Sequence, residues 1–140
     1  MRVLGRAAMA LGLLVLATVQ ATPARAGDEE LVVGGIKYAC TGVGEESRKD
    51  PRWPAYPLRL TFAAAGGLYL ADVDVTIHDS SGSEVFRIEG CYAPWLLIDL
   101  APGTYRVDGV ARENHRHSTT VSITAGQQTK AVLRFPGITD

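Results

Sequence analysis

Short segments in which apolar and polar residues alternate run through most of this chain, and they constrain its fold more than any other feature. In residues 58–62 and 73–78 every second side chain is apolar, whereas a helix would space apolar side chains three or four apart. Similar or wholly apolar segments follow at 84–88, 95–100, 105–111, 121–123 and 131–135. Turn-forming residues separate several of them, as at 79–82. The pattern predicts short strands and no amphipathic helix of useful length.

One further strand is predicted over residues 32–39, which brings the expected number to seven or eight. Residues 42–57, the proline-rich segment, interrupt the alternation. Its first half can begin a helical turn, but Pro51, Pro54 and Pro57 stop a helix from continuing. Short strands joined by turns predict a single antiparallel two-layer β-sandwich.

The N-terminal 26 residues have the pattern of a secretory signal peptide. Arg2 and Arg6 precede an uncharged apolar stretch at 7–19, and Ala24 and Ala26 supply the small residues before a cleavage site at Gly27. A membrane span needs about 20 apolar residues, so an uncleaved anchor is the less favoured alternative. The sequence therefore predicts a signal peptide at 1–26, a domain at 27–140, and export to the periplasm, with secretion as the alternative.

Loss of the signal peptide changes the charge balance. It removes three arginines and no acid, which leaves 11 bases against 15 acids and a net charge of −4. No basic tract longer than two residues remains. A protein that binds nucleic acid by neutralising phosphates is therefore not expected.

Cys40 and Cys91 are the only cysteines. An even number of cysteines in an exported chain predicts a disulfide. The alternative is a redox-active pair, but such pairs are usually close in sequence, as in Cys-x-x-Cys. We expect a structural disulfide.

The segment 100–107 resembles the Leu-x-Pro-Gly-x-Tyr-x-Val signature of carboxypeptidase regulatory-like domains, which are transthyretin-like β-sandwiches. Its motif residues are Leu100, Pro102, Gly103 and Tyr105. Pro102 and Gly103 suit a tight turn, after which Tyr105 points inward. Segments 43–46, 68–77 and 94–97 resemble, in the same order, parts of small exported bacterial proteins that carry this domain alone. The resemblance extends over roughly residues 33–135.

The resemblance implies a fold and not a reaction. It implies an all-β, antiparallel, Greek-key sandwich of about seven strands. The His-x-x-Glu pair of zinc carboxypeptidases does not occur in the sequence, and the chain does not end in the Tyr-Arg-Gly-Ser of transthyretin-like hydrolases. We therefore expect no catalytic residue, no metal and no cofactor.

Aromatic residues are the leading candidates for a binding surface. Trp53 and Tyr56 lie in the proline-rich segment, and Tyr92 follows Cys91. A Cys40–Cys91 disulfide would gather these three rings at one end of the sandwich. The alternative is that Trp53 and Tyr56 cap the sandwich or pack in its core.

Two pairs of polar residues offer other chemistry. His115 and His117 would share one face of an extended segment, as metal ligands can, but no third ligand is evident and a solvated turn is favoured. Asp72 and Asp74 could act as an acid–base pair. For them we favour a bulge that hydrogen-bonds backbone amides, with Asp74 facing solvent.

These observations predict a non-enzymatic, exported binding or structural module of the bacterial envelope. Its partner would be a protein or a glycan that the sequence does not identify. One alternative is a small envelope hydrolase or metal-binding protein that uses His115 and His117. Another is a homo-oligomer joined through exposed strands.

Overall fold

A computed structural model describes residue 12 and residues 29–140, and it confirms the all-β sandwich. Its strands are β1 Leu31–Val33, β2 Ile36–Thr41, β3 Leu58–Ala64, β4 Val73–Asp79, β5 Glu84–Cys91, β6 Trp95–Ile98, β7 Gly103–Ala111, β8 His115–Ile123 and β9 Thr129–Phe135. One sheet has the order β1-β2-β6-β3-β9 and the other β5-β4-β7-β8. The described part of the chain thus contains nine strands instead of about seven. The predicted signal peptide, Gly12 apart, lies outside the described residues.

Helical structure is limited to short pieces between the strands. Helix α1, Glu45–Arg48, and a 3-10 turn at Trp53–Ala55 lie in the proline-rich segment, and a second 3-10 turn spans Arg112–Asn114. None of the helices found between residues 29 and 140 has the length and apolar character needed to cross a membrane.

Two sequence predictions about strands are wrong. Residues 32–39 are not one strand, because Gly34 and Gly35 both take positive φ and fold β1 back onto β2. Paired positive-φ residues are typical of tight hairpin turns.

Residues 115–117 are not a solvated turn but the start of β8. The turn lies just before them, where Glu113 and Asn114 take positive φ.

The sheets are antiparallel except for one pair. Strand β9 runs parallel to β3, with Leu60 opposite Ala131 and Ala64 opposite Phe135. The chain reaches β9 from β8, which lies in the other sheet, so this pairing needs no hairpin. The connections from β3 to β4, β5 to β6 and β6 to β7 also cross between the sheets.

The main core lies between the two sheets. It is formed by the alternating side chains that the sequence pattern selects, which are fully buried. They include Leu58, Leu60, Phe62, Val73, Val75, Ile77, Val107, Leu133 and Phe135. Full burial of one such side chain contributes about 1.5–3 kcal/mol, so the alternation that predicts the strands also accounts for their packing.

The predicted disulfide between Cys40 and Cys91 is confirmed. Cys40 lies on β2 of the five-stranded sheet, and Cys91 ends β5 of the four-stranded sheet, with 5.7 Å between their Cα atoms. The bond therefore links the two sheets covalently.

A second, smaller core covers the outer face of the five-stranded sheet. Trp53 and Tyr56 pack there on Ala39, Trp95 and Leu97. Strand β6 is consequently buried on both faces, which explains why its sequence is an unbroken apolar run.

Gly42 lets the chain leave β2 close to the Trp95 ring. Its φ is +96°, and an added Cβ would lie 2.8 Å from Cγ of Trp95. We expect Gly42→Ala to lower the free energy of unfolding by about 1–3 kcal/mol, because it combines backbone strain with a steric clash. Urea denaturation measures the change. Gly44→Ala is the matched control, since Gly44 has φ +84° and no atom within 4 Å of the added Cβ. Equal losses in the two variants would contradict the role of the Trp95 contact.

Candidate functional site

The three aromatic residues singled out by the sequence do not form one open surface. Trp53 is 2 % exposed and Tyr56 is 4 % exposed, with 6.0 Å between their ring centroids. The Trp53 indole N–H donates a 2.7 Å hydrogen bond to the Ser47 carbonyl. Both rings thus cap the five-stranded sheet, the alternative that the sequence left open. Tyr92, by contrast, is exposed, and its hydroxyl donates a 3.4 Å hydrogen bond to the Cys40 carbonyl.

The Leu-x-Pro-Gly-x-Tyr segment forms a structural corner. Leu100 and Tyr105 are buried, and Gly103 begins β7 immediately after Pro102. The Tyr105 hydroxyl donates a 2.7 Å hydrogen bond to the Ala101 carbonyl. This bond ties the turn to the strand that follows it.

The two histidines share one face of β8, as the extended alternative required. His115 Nε2 lies 3.8 Å from a Glu113 carboxylate oxygen, and the His117 ring packs edge-on against Phe135 at 6.2 Å. Within residues 29–140, no group of three His, Cys, Asp or Glu residues is placed to hold a metal ion. The structure therefore adds no third ligand to this pair.

Asp72 lies immediately before β4 and Asp74 lies on it, and the two residues make different hydrogen bonds. The Asp74 carboxylate accepts a 2.7 Å hydrogen bond from the Gly90 N–H, next to the point where the β4–β5 register shifts. Asp72 has φ +60°, and its own N–H donates to the Cys91 carbonyl at 2.7 Å. The carboxylate that bonds a backbone amide at the bulge is thus that of Asp74 and not, as the sequence favoured, that of Asp72.

A loop at one end of the sandwich contains further candidate site residues. Residues 65–72 carry the chain from β3 to β4 and therefore from one sheet to the other. The Leu70 N–H donates to the Phe62 carbonyl at 3.0 Å, and the Ala64 N–H donates to the Leu68 carbonyl at 2.8 Å. These bonds hold the loop along the end of β3, so its side chains have defined positions.

Two neighbouring side chains of this loop point into solvent. Leu68 is 60 % exposed and Tyr69 is 49 % exposed. The Arg48 guanidinium of α1 lies 5.2 Å from the Tyr69 ring centroid, and Arg48 Nε donates a 2.9 Å hydrogen bond to the Gly42 carbonyl. Through Arg48 the loop contacts the start of the proline-rich segment, where Val43 is also exposed.

A pocket of about 300 Å³ opens beside Leu68 and Tyr69. Its apolar lining includes Leu70 and Ala111, and its charged lining is Asp72 and Arg112. The Asp72 carboxylate and the Arg112 guanidinium make no hydrogen bond or ion pair with any described residue. We call Val43, Leu68, Tyr69, Asp72 and Arg112 the loop end.

A strained backbone conformation occurs in the same pocket. Asp72, Glu113 and Asn114 are the only non-glycine residues with positive φ in the described chain, with values of 58–60°. Such conformations each cost on the order of 1–3 kcal/mol and cluster at functional sites. Asp72 lines the pocket, whereas Glu113 and Asn114 form the turn that joins β7 to β8 after Arg112, so only the conformation of Asp72 bears on the pocket itself.

Tyr69 was not among the candidate site residues that the sequence pattern indicated. The available signal was Gly66-Gly67, a turn pair immediately before Leu68, together with leucines out of phase with β4. No protein-family model and no curated protein matches this chain. The loop end is therefore defined by its own geometry: exposed apolar side chains beside two unpaired opposite charges.

Proposed function

We propose that this chain is an exported, non-enzymatic β-sandwich module of the bacterial envelope that binds a protein partner through the loop end. The observation that carries the proposal is the exposure of Leu68 and Tyr69 beside the unpaired charges of Asp72 and Arg112. Exposed apolar side chains bordered by polar groups are typical of interaction surfaces.

The linked sheets that carry the loop end favour binding, because little of the loop backbone has to become ordered when a partner binds. The Cys40–Cys91 disulfide joins the sheets, and the Asp72 N–H bonds the carbonyl of Cys91. A loop held before binding loses less conformational entropy on association. Binding residues are often carried by loops on such a rigid scaffold.

The side chains of the loop end suit a protein better than a glycan. Val43 and Leu68 are aliphatic and offer nothing to sugar hydroxyls. Arg48 already lies over the Tyr69 ring, which leaves less of it for stacking on a sugar. Asp72 and Arg112 can form ion pairs around an apolar centre, and complementary charge of this kind gives protein interfaces their specificity.

The remaining parts of the proposal come from the sequence. The signal-peptide pattern supports export, and the disulfide is expected in an oxidising compartment such as the periplasm or the medium. The resemblance to carboxypeptidase regulatory-like domains supports a role in binding instead of catalysis.

Site-specific photo-crosslinking in intact cells tests the loop end. We expect a photoreactive amino acid in place of Tyr69 to give a discrete adduct with a second protein, because this ring would lie in the interface. The same amino acid in place of Val132 is the matched control, since Val132 is similarly exposed but lies on β9, opposite Thr61. Immunoblotting and mass spectrometry of the adduct provide the measurement.

A second substitution separates a specific interface from random contact. Leu68→Asp should abolish the adduct formed at position 69 while leaving the thermal midpoint nearly unchanged, because substitutions of exposed side chains alter stability by about 0.5 kcal/mol or less. Equal crosslinking from positions 69 and 132 would refute the proposal. An adduct of twice the chain's mass would identify a second copy of this chain as the partner, the homo-oligomer alternative.

A further inference from the structure

A narrow groove of about 170 Å³ lies between the edge strands of the two sheets. Strand β1 ends the five-stranded sheet and β5 ends the four-stranded sheet, and within residues 29–140 no further strand pairs with the outer edge of either. Leu31 of β1 and Tyr92, which follows β5, line the groove and are each 46 % exposed. Ile88 and the Cys40–Cys91 disulfide complete its apolar lining. An apolar cleft is thus open where both sheets have unpaired edges.

The walls of the groove are held in place before any partner binds. The Tyr38 ring of β2 packs edge-on against Phe86 of β5, with 5.4 Å between the ring centroids. The Tyr92 hydroxyl donates a 3.4 Å hydrogen bond to the Cys40 carbonyl. Together with the disulfide, these contacts join the two sheets beside the groove. A cleft that already has its shape loses little conformational entropy when it is filled.

Two acidic residues, Glu29 and Glu89, line the same groove. Both are exposed, and neither makes a hydrogen bond or an ion pair with any described residue. Arg87, the cation that Glu89 attracts, is ion-paired with Glu84 at 2.6 Å. The described residues that line the groove include no lysine, arginine or histidine. The groove therefore combines apolar walls with negative charge that no neighbouring cation balances, and it complements a basic partner.

The size and position of the groove indicate the kind of partner. Sites for small molecules usually have volumes of about 300–1,000 Å³, so this smaller groove suits one side chain better than a whole ligand. An unpaired strand edge presents free backbone N–H and C=O groups, to which an extended protein segment can hydrogen-bond. In such strand addition the main chain supplies affinity, and pockets beside the edge select the side chains.

We propose that this groove binds a short extended segment of another protein in which basic residues flank an apolar one, a role independent of the loop end. The apolar side chain would pack between Leu31 and Tyr92. Neighbouring side chains of an extended segment point to opposite sides, so the basic ones are directed away from the apolar cleft and can reach Glu29 and Glu89.

Amide chemical shifts of the exported, ¹⁵N-labelled protein test the proposal during titration with the peptide acetyl-Gly-Lys-Leu-Lys-Gly-amide. We expect saturable movement of the amide signals of Leu31, Glu89 and Tyr92, with a Kd on the order of 1 mM. The amide of Tyr69 should not move. Two matched peptides are the controls: one has glutamate in place of both lysines, and the other has serine in place of leucine. Each should bind at least tenfold more weakly.

Variants of the protein then locate the contact. Glu29→Gln and Glu89→Gln should each weaken binding of the Lys-Leu-Lys peptide by about threefold, and the double variant by about tenfold. Glu113→Gln is the matched control for loss of one negative charge, since Glu113 lies on the turn between β7 and β8 and outside the groove. Leu31→Ser should weaken binding by about fivefold.

The proposal is wrong if the Lys-Leu-Lys peptide gives no saturable shifts at these amides, or if either control peptide binds as tightly. Unchanged affinity in the double variant would also contradict it. Movement of the same signals with protein concentration alone would assign the groove to a second copy of this chain and thereby overturn the proposal. None of these results bears on crosslinking at Tyr69, so the two proposals fail separately.

Discussion

Replacing both Cys40 and Cys91 with alanine is expected to lower the free energy of unfolding by about 4 kcal/mol. The bond closes a loop of about 52 residues, and closing a loop of that length removes much of the entropy of the unfolded chain. It also links β2 of one sheet to β5 of the other. A small domain has a total stability of only about 5–15 kcal/mol, so this single bond accounts for a large share.

Urea denaturation with and without a reducing agent measures the effect. The reduced wild-type protein should unfold at nearly the same midpoint as the double variant, because both lack the same covalent link. Adding reductant to the double variant is the control and should change nothing. An unchanged midpoint on complete reduction of the wild-type protein would show that packing alone holds the sheets together.

Much of the sandwich could be predicted because most strands bury one face only. On β4, Val75 and Ile77 are buried while Asp74 is exposed, and on β9, Leu133 and Phe135 are buried while Arg134 is exposed. A period of two follows directly from that arrangement. The disulfide was predictable for a different reason, since the signal-peptide pattern predicts export and two cysteines allow one intramolecular pairing.

The second core could not be predicted from local pattern. Trp53 and Tyr56 have the same sequence context whether they face solvent or the outer side of a sheet. What decides their burial is the apolar outer face made by Ala39, Trp95 and Leu97, which come from β2 and β6. Only the pairing of these two strands creates that surface.

The candidate sites depend on tertiary contacts in the same way. Tyr69 is a candidate site residue because its loop passes beside Arg48 of the proline-rich segment. A pocket of about 250 Å³ beside Tyr56 is lined in part by Glu30 and Asp99, which are 69 positions apart in the sequence. Neither group of residues has a sequence spacing from which its position in the fold could be predicted. The Gly34-Gly35 turn, by contrast, was visible in the sequence and carried a known hairpin preference.

Trp53→Ala is expected to lower the free energy of unfolding by about 3–5 kcal/mol, as truncation of a large buried aromatic residue does. The ring is 2 % exposed, packs against Tyr56 and donates a hydrogen bond to the Ser47 carbonyl. Its removal would leave a cavity over β6 and an unpaired carbonyl. Urea denaturation followed by far-ultraviolet circular dichroism measures the loss.

Two comparisons separate this capping role from a role in ligand contact. Trp53→Phe keeps most of the buried ring and should cost less than Trp53→Ala, whereas Tyr69→Ala, at a half-exposed ring, should cost about 0.5 kcal/mol or less. If Trp53 were instead a surface for a partner, Trp53→Ala would leave stability unchanged. A full-stability Trp53→Ala variant would therefore mean that the proline-rich segment does not cover the sheet.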